Sequence, residues 1–361
     1  MGGLGIDTAD YSDQAAGVTI TLNGDSIGSA VFTDTTNNDD LYSIENVIGT
    51  NQADSITITD TNANWIDGGA GADTILAGAG NDTIIYNASA VTLDGEAGTD
   101  TLVVRDAVLD LTAANVSGSK LKNFEVIDLR GSQGTQLTMS AESVASLSTT
   151  SDAVTVYADQ NDVIELVGTW TLGANTVVDS KVYHTWTRTS TSPAGTASVT
   201  ASAEATVRFV GTGAADTITG TSNPDVLWGL NGADSLSGGD GDDTFVGGAG
   251  NDSLVGGNGF DTADYSTSTG PLVVDLTAGT VTGDGTDTLA TIERVIGTTA
   301  ADTMTGSANA DWLDGNAGDD SLSGAAGDDH LYGQSGADTL LGGDGADVLE
   351  GGAGNDSLDG G

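Results

Sequence analysis

The sequence contains no cysteine, so no disulfide framework is available to it. Lysine and arginine together number 8 against 53 aspartates and glutamates in 361 residues, a formal net charge of -45. A field of that sign repels nucleic acid and anionic lipid and argues against both as partners. Proline occurs 3 times and aromatics make up 5%. Acidity with few aromatics is the composition of a disordered, solvating chain, yet the 37% of hydrophobic residues is too many for a linker. No apolar run approaches the ~18 residues of a transmembrane helix, so no membrane insertion is expected. Met1-Gly2-Gly3-Leu4-Gly5 has neither the basic nor the apolar region of a signal peptide. What abounds is glycine, at 54 positions, and its arrangement decides between disorder and an acidic ion-binding fold.

From Gly297 onward, Asp302, Asp311, Asp320, Asp329, Asp338, Asp347 and Asp356 recur with a period of nine. Two residues after each stands an apolar side chain: Met304, Leu313, Leu322, Leu331, Leu340, Leu349 and Leu358. A second block carries Asp216, Asp225, Asp234, Asp243, Asp252 and Asp261 with the same offset. A less regular first block has Asp54, Asp73, Asp82 and Asp100, with Asn64 in place of one aspartate. The best-formed units read Gly-Gly-x-Gly-x-Asp-x-apolar-x, as in Gly238 to Val246, Gly247 to Val255, Gly342 to Glu350 and Gly351 to Asp359. The glycines permit turn conformations with positive φ, and the last three residues suit a very short strand. Two units then make a coil of eighteen residues, whose apolar positions stack into two inward ladders.

Stacking also aligns the aspartates in columns about 4.8 Å apart. Two carboxylates at that distance repel by ~3 kcal/mol at an effective dielectric of ~20, more than one leucine per nine residues offsets along every edge. A cation between each pair removes the cost. Carboxylate and carbonyl oxygens without histidine or cysteine select Ca²⁺ over a transition metal. EF-hands do not fit, since no twelve-residue loop ends in a bidentate glutamate between helices.

These nonapeptides resemble the RTX family, the haemolysin-type calcium-binding repeats. The resemblance covers Gly49–Leu102, Gly211–Asp264 and Gly297–Gly361, about half of the chain. It implies an all-β, right-handed parallel β-roll with Ca²⁺ between successive turns, type I secretion and folding on external calcium. The expected ligands are the seventeen block aspartates named above and Asp7. Backbone carbonyls of Gly238, Gly239, Gly241, Gly247, Gly248, Gly250, Gly342, Gly343, Gly345, Gly351, Gly352 and Gly354 are expected to join them. Same-edge pairs eighteen residues apart give roughly a dozen ions, with cooperative, millimolar-range calcium-dependent folding.

Two longer units match each other. Gly2-Gly3-Leu4-Gly5-Ile6-Asp7-Thr8-Ala9-Asp10-Tyr11-Ser12 recurs at Gly256 to Ser266, and Leu41-x-x-Ile44-Glu45-x-Val47-Ile48-Gly49 recurs at Leu289 to Gly297. Strand-like runs, Val18–Leu22 and Leu272–Leu276, lie between. These read as larger coils in which Asp7 and Asp261 ligate calcium, with Asp10 and Asp264 left open. Residues 103–210 hold seven of the eight basic side chains and His184. They still open on Leu121-x-x-Phe124-Glu125-x-Ile127. A short helix is expected from Ser140 to Leu147, and strands at 154–157, 163–167 and 199–210. The expected organisation is a long coil at 1–48, RTX blocks at 49–102, 211–264 and 297–361, a β-rich module at 103–210 and a connecting coil at 265–296. The module resembles those beside such repeats in large adhesin-like proteins. Trp170, Tyr183 and Trp186 are read as its core aromatics, ahead of a recognition surface.

Several motifs fail. Gly24-Asp25-Ser26-Ile27-Gly28 has the spacing of a nucleophile elbow but no helix pattern after it. There is no zinc-protease His-Glu-x-x-His and no phosphate loop. Calcium ligation accounts for the carboxylates more economically than a glycosidase pair. Trp65, Trp228 and Trp312 read as isolated surface aromatics, with sugar stacking the alternative. The leading expectation is a non-enzymatic structural segment of a secreted bacterial adhesin or surface-layer protein. The rival is the calcium-binding part of a secreted hydrolase, lyase, epimerase or toxin. Neighbouring copies and cell-surface polysaccharide are the further partners expected. The Gly-Gly at both ends of the sequence suggests one segment of a longer protein.

Overall fold

A computed structural model describes residues 5–24, 26–32, 38–105, 108–112, 120–131, 134–148, 153–158, 162–168, 170–172, 176–178, 181–191, 194–202 and 206–361. The chain divides into two compact units, one of residues 1–164 with 173–205, the other of 165–172 with 206–361.

A nonapeptide has room for one three-residue strand, because the rest of it turns. In Trp65–Asp67, Thr74–Leu76, Thr83–Ile85 and Thr92–Asp94 only the middle side chain is buried. That is the pattern a one-sided strand requires. In the first unit those middle residues stack into two parallel ladders. One runs Ala9, Val47, Ile66, Ile84, Leu102, Ile127 and Val156. The other runs Ile20, Ile56, Ile75, Leu93 and Leu121. The ladders fill the space between the sheets with apolar side chains that are essentially fully buried.

The second unit repeats the plan. Phe209, Leu227, Phe245, Ala263, Val295, Leu313, Leu331 and Leu349 are parallel neighbours in one sheet. Ile218, Leu236, Leu254 and Leu289 form one part of the opposite sheet. Val274, Met304, Leu322, Leu340 and Leu358 form the other part. Most neighbours are eighteen residues apart, two nonapeptides per coil. The all-β parallel roll that the resemblance implies is the fold.

The two long units depart from it in the same way. Val18–Asn23 pairs antiparallel with Ser26–Phe32, which pairs with Asn38–Leu41. Val273–Asp275, Thr280–Thr282 and Thr286–Ala290 make the corresponding excursion. The Gly24–Gly28 turn therefore leads into a strand and not into the helix an elbow needs; Asp25 lies outside the described residues.

Within 103–210 the parallel ladder continues through Val126–Asp128 and Ala153–Tyr157 to Ala194–Ser202. Lys181–Thr191 then pairs antiparallel with Ala194–Ser202. The strand expected over 199–210 is two strands, Ala194–Ser202 and Thr206–Val210. The helix is Ala141–Leu147, capped by Ser140, whose side chain accepts the Ser143 N–H while the Ser143 hydroxyl accepts that of Ser140. Trp170 and Trp186 are buried, as core aromatics are; the side chains of Tyr183 and His184 lie outside the described residues.

Candidate metal centre

Each repeat aspartate immediately precedes its strand or, at Asp225, opens it, so the parallel register that stacks the apolar ladder also stacks the carboxylates. The contact between them is not the bare repulsion that spacing alone implies. The backbone N–H of one aspartate donates to Oδ1 of the aspartate one coil later. This holds for Asp82 to Asp100, Asp216 to Asp234, Asp225 to Asp243, Asp234 to Asp252 and Asp243 to Asp261, at 2.7–2.9 Å. It holds again for Asp302 to Asp320, Asp311 to Asp329, Asp320 to Asp338, Asp329 to Asp347 and Asp338 to Asp356, at 2.7–3.1 Å. Asp54 and Asn64 donate in the same way to Asp73 and Asp82. Half of each carboxylate is thus satisfied by main chain.

The other oxygen divides the aspartates into two groups. In Asp54, Asp216, Asp225, Asp302 and Asp311 the residue four positions earlier is Thr or Ser, and its N–H donates to Oδ2. Thr50, Thr212 and Thr298 add their hydroxyls. In Asp73, Asp82, Asp100, Asp234, Asp243, Asp252, Asp261, Asp320, Asp329, Asp338 and Asp347, Oδ2 is out of solvent and has no hydrogen-bond partner. The cause is backbone. Four residues before every member of this second group the chain has positive φ: Gly69, Gly78, Glu96, Leu230, Gly239, Gly248, Gly257, Asn316, Ala325, Gln334 and Gly343. The left-handed turn leaves Oδ2 without the N–H that Thr or Ser supplies. A buried, donorless carboxylate oxygen is among the costliest groups a fold can hold.

Its titration reflects this. Burial pushes the carboxyls of Asp73, Asp82 and Asp320 up to about 6 and those of Asp100 and Asp243 to about 7. Neighbouring carboxylates, in the columns and beside them, add to the rise, against the opposing backbone hydrogen bond. Asp234, Asp252, Asp261 and Asp329 are raised for the same reason. Burial also lifts Asp225 to about 7 despite its Thr221 donor.

A backbone oxygen faces the same space. A Cβ on Gly229 would collide with both Asp234 Oδ2 and the Gly247 carbonyl. Gly324 stands in the same relation to Asp329 and Gly342, Gly333 to Asp338 and Gly351, and Gly220 to Asp225 and Gly238. So the carbonyls of Gly238, Gly247, Gly342 and Gly351 share a cradle with a carboxylate oxygen. The second- and fourth-position glycines meet the neighbouring coils. The carbonyls of Gly239, Gly241 and Gly343 abut Gly257, Gly259 and Gly361 of the next coil, while Gly248, Gly250, Gly345, Gly352 and Gly354 abut the carbonyls of the coil before. Their role in the geometry is close approach between coils.

Among the described residues no three carboxylate or imidazole side chains converge on one point. What converges is one carboxylate with a backbone carbonyl of the next coil. An oxygen-only set of this kind, with an unsatisfied anionic member, fits Ca²⁺ and offers nothing to a softer ion. A model of the RTX calcium-binding nonapeptide repeat (four copies) matches residues 58–90, 210–245, 228–263, 296–331 and 332–361. The chain carries RTX repeats. Such repeats bind Ca²⁺ and are typical of secreted bacterial proteins. No curated protein matches the chain. Among the described residues no helix is long and apolar enough to cross a membrane.

Carboxylates outside the nonapeptides join the RTX columns. Glu45, Glu125 and Glu293 accept the N–H of Asp7, Asp100 and Asp261, Asp287 accepts that of Asp252, and Asp162 accepts that of Thr135. The signal for the glutamates was the thrice-repeated Leu-x-x-apolar-Glu, which a nine-residue period passes over. Asp7 is half-buried at the head of one column. Asp10 and Asp264 each accept the N–H two residues on, a local turn outside the columns. Nor is Trp312 isolated. Its ring lies 4.4 Å from His330 and 5.3 Å from Phe260, with Tyr332 at 6.1 Å. The Arg208 guanidinium lies over Trp228.

Proposed function

We propose that the chain is a non-enzymatic, calcium-organised structural segment of a secreted or cell-surface bacterial protein, of the adhesin or surface-layer kind. The observation that carries this reading is the row of buried aspartate oxygens without donors. At neutral pH and low calcium those carboxyls must ionise inside a packed stack, and the stack opens. External calcium supplies the missing positive partner and closes it. A chain without cysteine that is open before export and rigid after it suits passage through a narrow channel.

In this reading Asp73, Asp82, Asp234, Asp243, Asp252, Asp320, Asp329, Asp338 and Asp347 hold the ions through Oδ2, with Asp7 and Asp356 ending their columns. Asp54, Asp216, Asp225, Asp302 and Asp311 are the aspartates whose Oδ2 the protein itself caps. Residues 1–48 and 265–296 serve as long coils, 49–102, 211–264 and 297–361 as RTX blocks, and 103–210 as a β-rich module into which the ladder extends.

Far-UV circular dichroism tests the coupling. In excess chelator at neutral pH the spectrum is expected to be largely unordered, and added calcium restores β-structure cooperatively in the millimolar range. Full β-structure in chelator would sink the reading. Turnover of ester, peptide or polysaccharide by the calcium-loaded chain would instead assign it an enzyme's role.

A further inference from the structure

Three coils are longer than eighteen residues and carry a glutamate in the aspartate column, at Glu45, Glu125 and Glu293. All three glutamates lie outside the segments that the RTX model matches, and the coils are built alike. Two residues before each glutamate a non-glycine residue is left-handed: Ser43 (φ 48), Asn123 (φ 54) and Thr291 (φ 52). That conformation is disfavoured for a side chain, most of all a β-branched one, and marks a position held for a purpose. The glutamate Oε2 then accepts the N–H of the aspartate one coil earlier, at 2.9 Å for Asp7, 3.0 Å for Asp100 and 2.8 Å for Asp261. In return the N–H groups of the glutamate and its successor both donate to that aspartate's carbonyl.

The left-handed turn aims a carbonyl. A Cβ on Gly95 would collide with both the Asn123 carbonyl and Asp100 Oδ2. A Cβ on Gly256 would collide with the Thr291 carbonyl and Asp261 Oδ2. This is the cradle seen at Gly229 and Gly333, with Asn123 or Thr291 in the place of a repeat glycine. Asp100 and Asp261 are fully buried, and the Oδ2 of each points into the cradle with no partner. Glu125 is held from its other side by the Ser148 hydroxyl, which donates to Oε1 at 3.0 Å.

We propose that Asp100 Oδ2 with the Asn123 carbonyl, and Asp261 Oδ2 with the Thr291 carbonyl, form two further calcium sites, completed by the carboxylates of Glu125 and Glu293; this rests on the calcium reading of the columns. The ion row thereby continues across coils that the nonapeptide pattern does not reach. A hard, oxygen-only donor set selects Ca²⁺ here as it does in the repeats.

Crystals of the full chain grown in calcium and exchanged into terbium test this without a substitution. Anomalous peaks are expected beside Asp100 Oδ2 and Asp261 Oδ2 as well as beside Asp320 and Asp338. Peaks at the repeat aspartates with none at Asn123 or Thr291 would overturn the inference and leave the calcium reading standing. No peak at any column would overturn both. In native mass spectrometry of the calcium-loaded chain, Glu125→Gln and Glu293→Gln should each lose one ion. An unchanged ion count in both variants, with one ion lost in Asp320→Asn, would again count against the two sites alone.

Discussion

Thr298 gives Asp302 a backbone N–H at 2.7 Å and a hydroxyl at 3.1 Å and 3.2 Å. Asn316, in the equivalent place before Asp320, has φ 70 and leaves Oδ2 bare. One residue's backbone therefore separates a carboxylate the protein satisfies from one that needs a cation. Two substitutions should behave differently as a result. Thr298→Val removes a hydroxyl hydrogen bond and should cost about 1 kcal/mol with the calcium count unchanged. Asp320→Asn should remove an ion. Calorimetric melting at saturating calcium, with metal analysis of the dialysed protein, reads both. Loss of an ion from the threonine variant would undo the distinction. The sequence does not display it. Gly69 or Gly239 at the decisive position hints at positive φ, but Leu230, Ala325, Gln334 and Glu96 adopt it too, and nothing in their chemistry announces a left-handed turn. The surrounding coil imposes it.

At the scale of the strand and its turn, the nine-residue period carried most of the fold. An aspartate two residues before each buried apolar side chain implies both the eighteen-residue register and the carboxylate columns, and Leu236 facing Leu254 with Asp234 donating to Asp252 realises both. Where the period breaks, legibility fails. Glu45, Glu125 and Glu293 were visible as a motif, but not as members of the columns, because coil length hides their register. The columns also set a pH response. In the metal-free fold the carboxyls of Asp73, Asp82, Asp100, Asp243 and Asp320 sit at about 6 or 7, above the ~4 of an unfolded aspartate. Their contribution to stability is therefore fully present below ~4 and is lost as pH rises through 6 to 7. The chelated chain should show more β-structure at about pH 5 than at about pH 8. Calcium, competing with protons for the same oxygens, should bind more tightly as pH rises across that range. Circular dichroism and calcium titration at the two values check both trends, and a chelated chain better ordered at the higher pH would contradict them.

Across the whole molecule the columns carry a direction. In every aspartate pair the donor is the earlier coil's N–H and the acceptor is the later coil's carboxylate, as in Asp302 to Asp320 to Asp338 to Asp356. Among the described residues no column aspartate donates the other way, although the N–H groups of Phe260, Ala337 and Ala346 donate back to Asp242, Asp319 and Asp328 beside the columns. Damage should therefore travel toward the N-terminus. Asp338→Ala strands the N–H of Asp320, whereas the N–H it donates to Asp356 stays in place. Hydrogen exchange of the calcium-loaded protein should quicken by about tenfold or more at the Asp320 amide, since ~1.4 kcal/mol corresponds to each tenfold. The amide of residue 338 should change far less. Equal acceleration on both sides would mean that the coils are coupled only through the apolar ladder. A stack built this way has unlike ends, in the manner of a polar filament. A column begins on a buried carboxylate that the Thr or Ser four residues earlier caps, as at Asp54 and Asp302. Beyond it, each amide is met only by the carboxylate that the next coil brings.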